Sequence, residues 1–106
     1  MRILVVSTPV GPLGSGQGGG VELTLAALVA GLLRRGHGIT VLAAAGSVLP
    51  DSCRAAALWT CSGAPQPSCQ HQGRGAPITM PADGLLARFW QRALQEQASF
   101  DVILNL

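Results

Sequence analysis

The chain has 106 residues, enough for one small domain with a modest core and too few for a second. Apolar residues make up 48 % and charged residues 11 %, which fits a packed interior and excludes disorder over most of the length. The net charge of +2 comes from scattered arginines with no lysine and no basic run, so nucleic acid is not an expected partner.

Met1-Arg2-Ile3-Leu4-Val5-Val6-Ser7 carries one charge and too short an apolar region for a signal peptide, which points to a cytoplasmic protein. Residues 3–7 read as a strand buried on both faces of a parallel sheet, ended by Pro9. A glycine-rich loop follows, GPLGSGQGGGVE from Gly11 to Glu22. Residues 21–35 have helical length and good helix formers, stopped by Gly36, with Glu22 in the first turn and Arg34-Arg35 in the last to suit the helix dipole. This longest apolar stretch holds Glu22 and Thr24 and falls short of the ~18–20 residues that span a bilayer. No transmembrane segment is expected, and any membrane contact would be peripheral.

Gly36-His37-Gly38 makes a turn in which His37 is expected to cap carbonyls at the helix end. Residues 39–44 form a second strand and complete a β-α-β unit. Prolines then punctuate residues 46–81, which read as a Pro/Gly-rich surface insertion; only residues 55–60 and Ile78-Thr79 suit short strands or a helical turn. Cys53, Cys61 and Cys69 stand eight residues apart with no CxxC pair, so free thiols are expected and a metal site, even with His71, is not.

Residues 83–98 return to helix, with Leu85, Leu86, Phe89, Trp90 and Leu94 expected on the buried side and Arg88, Arg92 and Glu96 on the solvent side. Residues 100–106 form a third strand, entered at Asp101. An apolar parallel strand should be covered on both faces, and the chain is accordingly expected to be a fragment cut at or just inside a central strand. The fold class is α/β: a Rossmann-like parallel sheet with flanking helices.

The glycine loop admits several chemistries. Gly14-Ser15-Gly16-Gln17-Gly18-Gly19 matches GxGxxG as a string, but six residues separate it from the first strand and the second strand ends Ala43-Ala44-Ala45-Gly46, with no acid for a ribose. A Walker loop is excluded by the absence of lysine. What remains is Gly18, Gly19 and Gly20 at a helix N-terminus, where free backbone N–H groups suit a phosphate or diphosphate. Equally, the glycines are a mobile connection. Glu22 is either a favourable first-turn charge or a ligand contact.

The opening Met1 to Ser7, the GGGVE of Gly18 to Glu22, and Arg34-Arg35-Gly36-His37-Gly38-Ile39-Thr40-Val41-Leu42 together resemble the start of the family 4 glycosyltransferases, which have the GT-B fold. Phe100-Asp101-Val102-Ile103 is similar to a later strand of these enzymes. The resemblance covers about half of the chain and leaves the proline-rich middle unmatched. It implies that residues 1–106 are a partial N-terminal, acceptor-side domain, with the donor-binding C-terminal domain absent. It further implies transfer of a sugar from a nucleotide-sugar donor to an acceptor with retention of configuration, with no other cofactor and no metal. Gly18, Gly19 and Gly20 would then lie against the donor diphosphate. Many members follow Asp-Val-Ile with histidines, whereas this chain has Leu104-Asn105-Leu106, so Asn105 is a polar stand-in as a substrate contact and no catalytic residue is assigned. The isolated chain is expected to be inactive. Two further readings are a non-catalytic nucleotide- or anion-binding module and a fragment of an NAD-dependent oxidoreductase.

Overall fold

A computed structural model of the chain describes residues 1–8, 11–15, 19–63 and 84–106. Strand β1 (Arg2–Val6) leads to helix α1 (Gly20–Arg34), strand β2 (Gly38–Ala44), a 3-10 turn (Asp51–Cys53) and strand β3 (Ala57–Cys61). Helix α2 (Leu85–Glu96), a second 3-10 turn (Gln97–Ser99) and strand β4 (Val102–Asn105) follow. The four strands form one all-parallel sheet in the order β3-β2-β1-β4, the Rossmann-like α/β arrangement that the apolar runs predict.

The apolar run of β1 is continuous because each face of the sheet meets a different helix. Ile3 and Val5, with Ile39, Val41 and Ala43 of β2, pack under Leu25, Val29 and Ala30 of α1. Leu4 and Val6, with Leu42 and Ala44, pack under Leu85, Phe89 and Ala93 of α2. Successive residues of a strand point to opposite faces, so both parities must be apolar where both faces are covered.

Helix α1 ends as its sequence predicts. Gly36 has φ +86° and lets the N–H groups of Arg35, Gly36 and His37 fold back onto the carbonyls of Leu32 and Leu33. His37 therefore caps Leu32 with its backbone N–H, at 3.2 Å, and not with its imidazole. The ring Nδ1 instead lies 3.2 Å from the amino group of Met1.

Within the stretch read as an insertion, the segment left open between strand and helical turn is β3, paired with β2 from Thr40↔Ala57 to Ala44↔Cys61. Residues 64–83, including Cys69, His71, Ile78-Thr79 and the predicted helix start at residue 83, lie outside the described residues. The last strand is shorter than predicted: Phe100 leaves the ladder to pack edge-on against Trp59, with ring centroids 5.6 Å apart. Asp101 is tied to the start of β1, accepting from the Arg2 N–H at 2.8 Å and donating its own N–H to the Arg2 carbonyl.

One expectation for α2 is corrected. Leu85, Phe89 and Ala93 face the sheet, whereas Trp90 and Leu94 are 48 % and 61 % exposed. The apolar stripe of the helix is wider than its footprint on the sheet, so Trp90 and Leu94 overhang a groove beside β4, above the exposed Ile103. Trp90→Gln is accordingly expected to cost clearly less than the ~3–5 kcal/mol of truncating a fully buried aromatic, as measured by urea unfolding. No helix among the described residues is long and apolar enough to cross a membrane.

Candidate site at the carboxyl end of the sheet

The chain passes from β1 through α1 to β2 and β3 on one side, then through α2 to β4 on the other. The strand order reverses between β1 and β4. In open parallel sheets, ligands bind outside the carboxyl ends of the strands at such a switch point. The loop after β1 begins there.

That loop is anchored along its described length. Ser7 and Thr8 are buried, and the Ser7 N–H donates to the Leu42 carbonyl at 2.9 Å, continuing the ladder past β1. Leu13 is buried against the α1 side of the core, and its N–H donates to Ser47 Oγ at 2.8 Å. Ser47 in turn donates its hydroxyl to the Ala44 carbonyl at 2.6 Å, and the Val48 N–H donates to the Leu13 carbonyl at 3.0 Å. Ser15 closes a turn onto the Pro12 carbonyl. Residues 11–15 are thus fastened to the turn after β2.

Ser47 is the residue that sequence reasoning passed over; its only local signal is its place beside the Gly46 turn. Ser47→Ala leaves the buried Leu13 N–H and the Ala44 carbonyl without this partner and is expected to cost about 1–3 kcal/mol. Urea unfolding gives the loss, and hydrogen exchange at the Leu13 amide locates it.

Glu22 has a role that neither of its expected ones anticipated. Its Oε1 accepts the Gly14 N–H at 2.8 Å, so the carboxylate in the first turn of α1 ties the loop to the helix it precedes. A cavity of about 540 Å3 lies beside this tether, lined mainly by apolar residues including Leu13, Leu25, Ala26 and Leu49.

Gly19 is the N-cap of α1, with φ +59° and ψ −135° and no side-chain cap. Gly20 opens the helix, and both glycines are exposed. A Cβ added at either would meet nothing within 4 Å. Internal packing therefore does not demand glycine at these two positions. At Gly19 the backbone conformation demands it; at Gly20 neither reason applies. The Glu22 N–H donates to the Gly19 carbonyl at 3.2 Å, and Gly19 and Gly20, without a Cβ of their own, stand at the positive end of a 15-residue dipole. Gly18 lies outside the described residues.

Asn105 ends β4, paired with Val6 of β1 and exposed. It shares the carboxyl end of the sheet with the glycine loop, but register places it with Val6 on the α2 face, whereas Glu22 belongs to α1 on the other face. The structure brings Gly19, Gly20 and Glu22 into one helical turn and sets Asn105 apart, beside the groove under Trp90. His37 lies at the opposite, amino end of the sheet with Met1.

Cys53 is buried, donating its thiol to the Ala26 carbonyl at 3.4 Å, and Cys61 is half-buried; both are free thiols. Burial pushes the Cys61 thiol above its ordinary pKa, partly offset by the nearby charges of Arg92 and Arg88. Among the described residues no group of three or more His, Cys, Asp or Glu side chains is placed to hold a metal ion. The glycine end of α1 can attract and hydrogen-bond an anion through backbone amides. No protein-family model matches this chain, and no curated protein matches it.

Proposed function

We propose that this chain is the N-terminal, acceptor-side part of a retaining glycosyltransferase of GT-B type, in which Gly18, Gly19 and Gly20 receive the diphosphate of a nucleotide-sugar donor. One observation carries the reading: α1 begins at the carboxyl end of a parallel sheet with two exposed glycines and no side-chain cap. A diphosphate brought there meets the backbone N–H groups of the helix start and the helix dipole at close backbone range. The likeness of the glycine run, the Arg-Gly-His turn and the Phe-Asp-Val-Ile strand to family 4 glycosyltransferases supports a nucleotide-sugar over other diphosphates.

An NAD-type reading is disfavoured at β2. A dinucleotide site asks for a carboxylate where this strand ends to hold the ribose, and Ala44-Ala45-Gly46 supplies none. In the proposed enzyme the glycines bind the diphosphate and Glu22 holds the loop, while Asn105, at the end of β4 on the α2 face, would meet the substrate away from the diphosphate. Transfer would need the facing donor domain to close the cleft and position the reactants.

The test is a residue-resolved titration of this chain with uridine diphosphate, UDP-glucose and NAD. The expected result is perturbation of the Gly18, Gly19 and Gly20 amides by the first two. Preferential binding of NAD overturns the reading.

A further inference from the structure

A second polar feature lies across the sheet from α1, where the end of β3 meets α2. Arg88, Gln91, Arg92 and Gln95 follow one another at i, i+3, i+4 and i+7, so they form a single stripe along α2. The stripe lines a groove of about 370 Å3 whose other wall is Cys61 and Ser62, at the carboxyl end of β3.

We propose that this groove seats a phosphate group carried by the acceptor, bound by Arg88 and Arg92 with donors from Gln91, Gln95 and Ser62. The proposal rests on the glycosyltransferase reading for the word acceptor; the anion site itself rests on the groove.

Arg92 is already held in place. Its guanidinium carbon lies 4.4 Å over the centre of the Trp59 ring, and its Nε is 3.5 Å from Glu96 Oε1. That approach lacks hydrogen-bond geometry, so the buried Nε has no hydrogen-bond partner among the described residues. A guanidinium fixed by stacking loses little further freedom when it binds an anion. Arg88, one turn earlier, is exposed and makes no ion pair with a described carboxylate. Two forked guanidiniums, two carboxamides and a hydroxyl offer more donors than one carboxylate accepts. They suit the several oxygens of a phosphate.

The groove also continues toward the glycine loop. A cavity of about 200 Å3, walled by Gly11, Pro12, Ala44 and Ala45, shares Cys61 and Ser62 with it. An acceptor anchored by its phosphate at Arg88 and Arg92 therefore has a path along the carboxyl ends of β3 and β2 to the loop that faces the donor.

The experiment is a titration of the 106-residue chain with inorganic phosphate and, separately, glycerol 3-phosphate at constant ionic strength, read at the Arg88 and Arg92 Nε–H signals and the Ser62 amide. Saturable shifts at these groups are expected, weakened at least about tenfold by Arg88→Gln, with Arg88→Lys recovering part of the loss. Arg88 is exposed, so both variants are expected to fold; dispersion of the same spectra checks it. Equal shifts from chloride, or Arg88→Gln binding phosphate as the parent does, overturns the proposal. Uridine diphosphate is followed in the same samples at the Gly19 and Gly20 amides. Loss of the Arg88 response with those amides still responding sinks the groove alone, and the reverse pattern sinks the donor reading while leaving the anion site.

Discussion

Phe89→Ala is expected to cost about 3–5 kcal/mol, a large part of the roughly 5–15 kcal/mol that holds a domain of this size together. Phe89 is 1 % exposed and belongs to the cluster that joins α2 to Leu4, Val6, Leu42 and Ala44. Removing its ring takes away apolar burial and leaves a cavity between two rigid elements that can close only in part. Leu94→Ala, on the overhanging face of the same helix, is expected to fall within about 0.5 kcal/mol of the parent. Urea unfolding of the two variants compares them directly. Similar losses from both would mean that Leu94 is buried as the sequence pattern alone suggests, and that α2 is rotated from its described position.

The contrast between these two faces of α2 marks where a local pattern stops being sufficient. Strands β1 and β2 were legible because each is a short continuous apolar run, as burial on both sheet faces requires, and helix α1 because its length and helix formers end at Gly36. Strand β3 was not, because Ala-Leu-Trp-Thr-Cys lies at the sheet edge, where a half-covered strand tolerates Thr60 and carries a weak pattern. The face of α2 was half legible. Periodicity marks Leu85, Leu86, Phe89, Trp90 and Leu94 as one stripe, but which part of it touches the sheet depends on where the helix crosses, and that is a tertiary fact.

The candidate site divides in the same way. Glycines at a helix start are a local signal, and Gly19 and Gly20 stand there. The bonds that fasten the loop are not local: Leu13 and Ser47 are 34 residues apart in sequence, and the Gly14–Glu22 bond depends on the path of the loop. Asn105 and Glu22 could be read as members of one site only until the sheet was placed between them. The Arg88 and Arg92 stripe, read from sequence as a solvent-facing row with Glu96, meets Trp59 of β3 and shares a groove with Ser62 just after it, neighbours that no local pattern announces.

Gly19 and Gly20 are glycine for different reasons, and substituting them separately tests the diphosphate reading. At Gly19, φ +59° with ψ −135° is a conformation that branched residues scarcely adopt, so Gly19→Val is expected to cost about 1–3 kcal/mol and to shift the start of α1. Its affinity for uridine diphosphate should fall at least about tenfold, since the N–H groups that would face the phosphates are displaced. That variant alone is ambiguous, because a distorted loop weakens any ligand. Gly20→Ala removes the ambiguity: the added Cβ meets nothing within 4 Å, and alanine in a helix is up to about 1 kcal/mol better than glycine. The variant should therefore be as stable as the parent or more so. If a diphosphate approaches the backbone at this point, the same methyl group stands in its way, and binding should weaken several-fold while stability rises. A Gly20→Ala chain that is stabilised and binds uridine diphosphate unchanged would return the glycines to the other reading, a connection that needs no side chains and holds nothing.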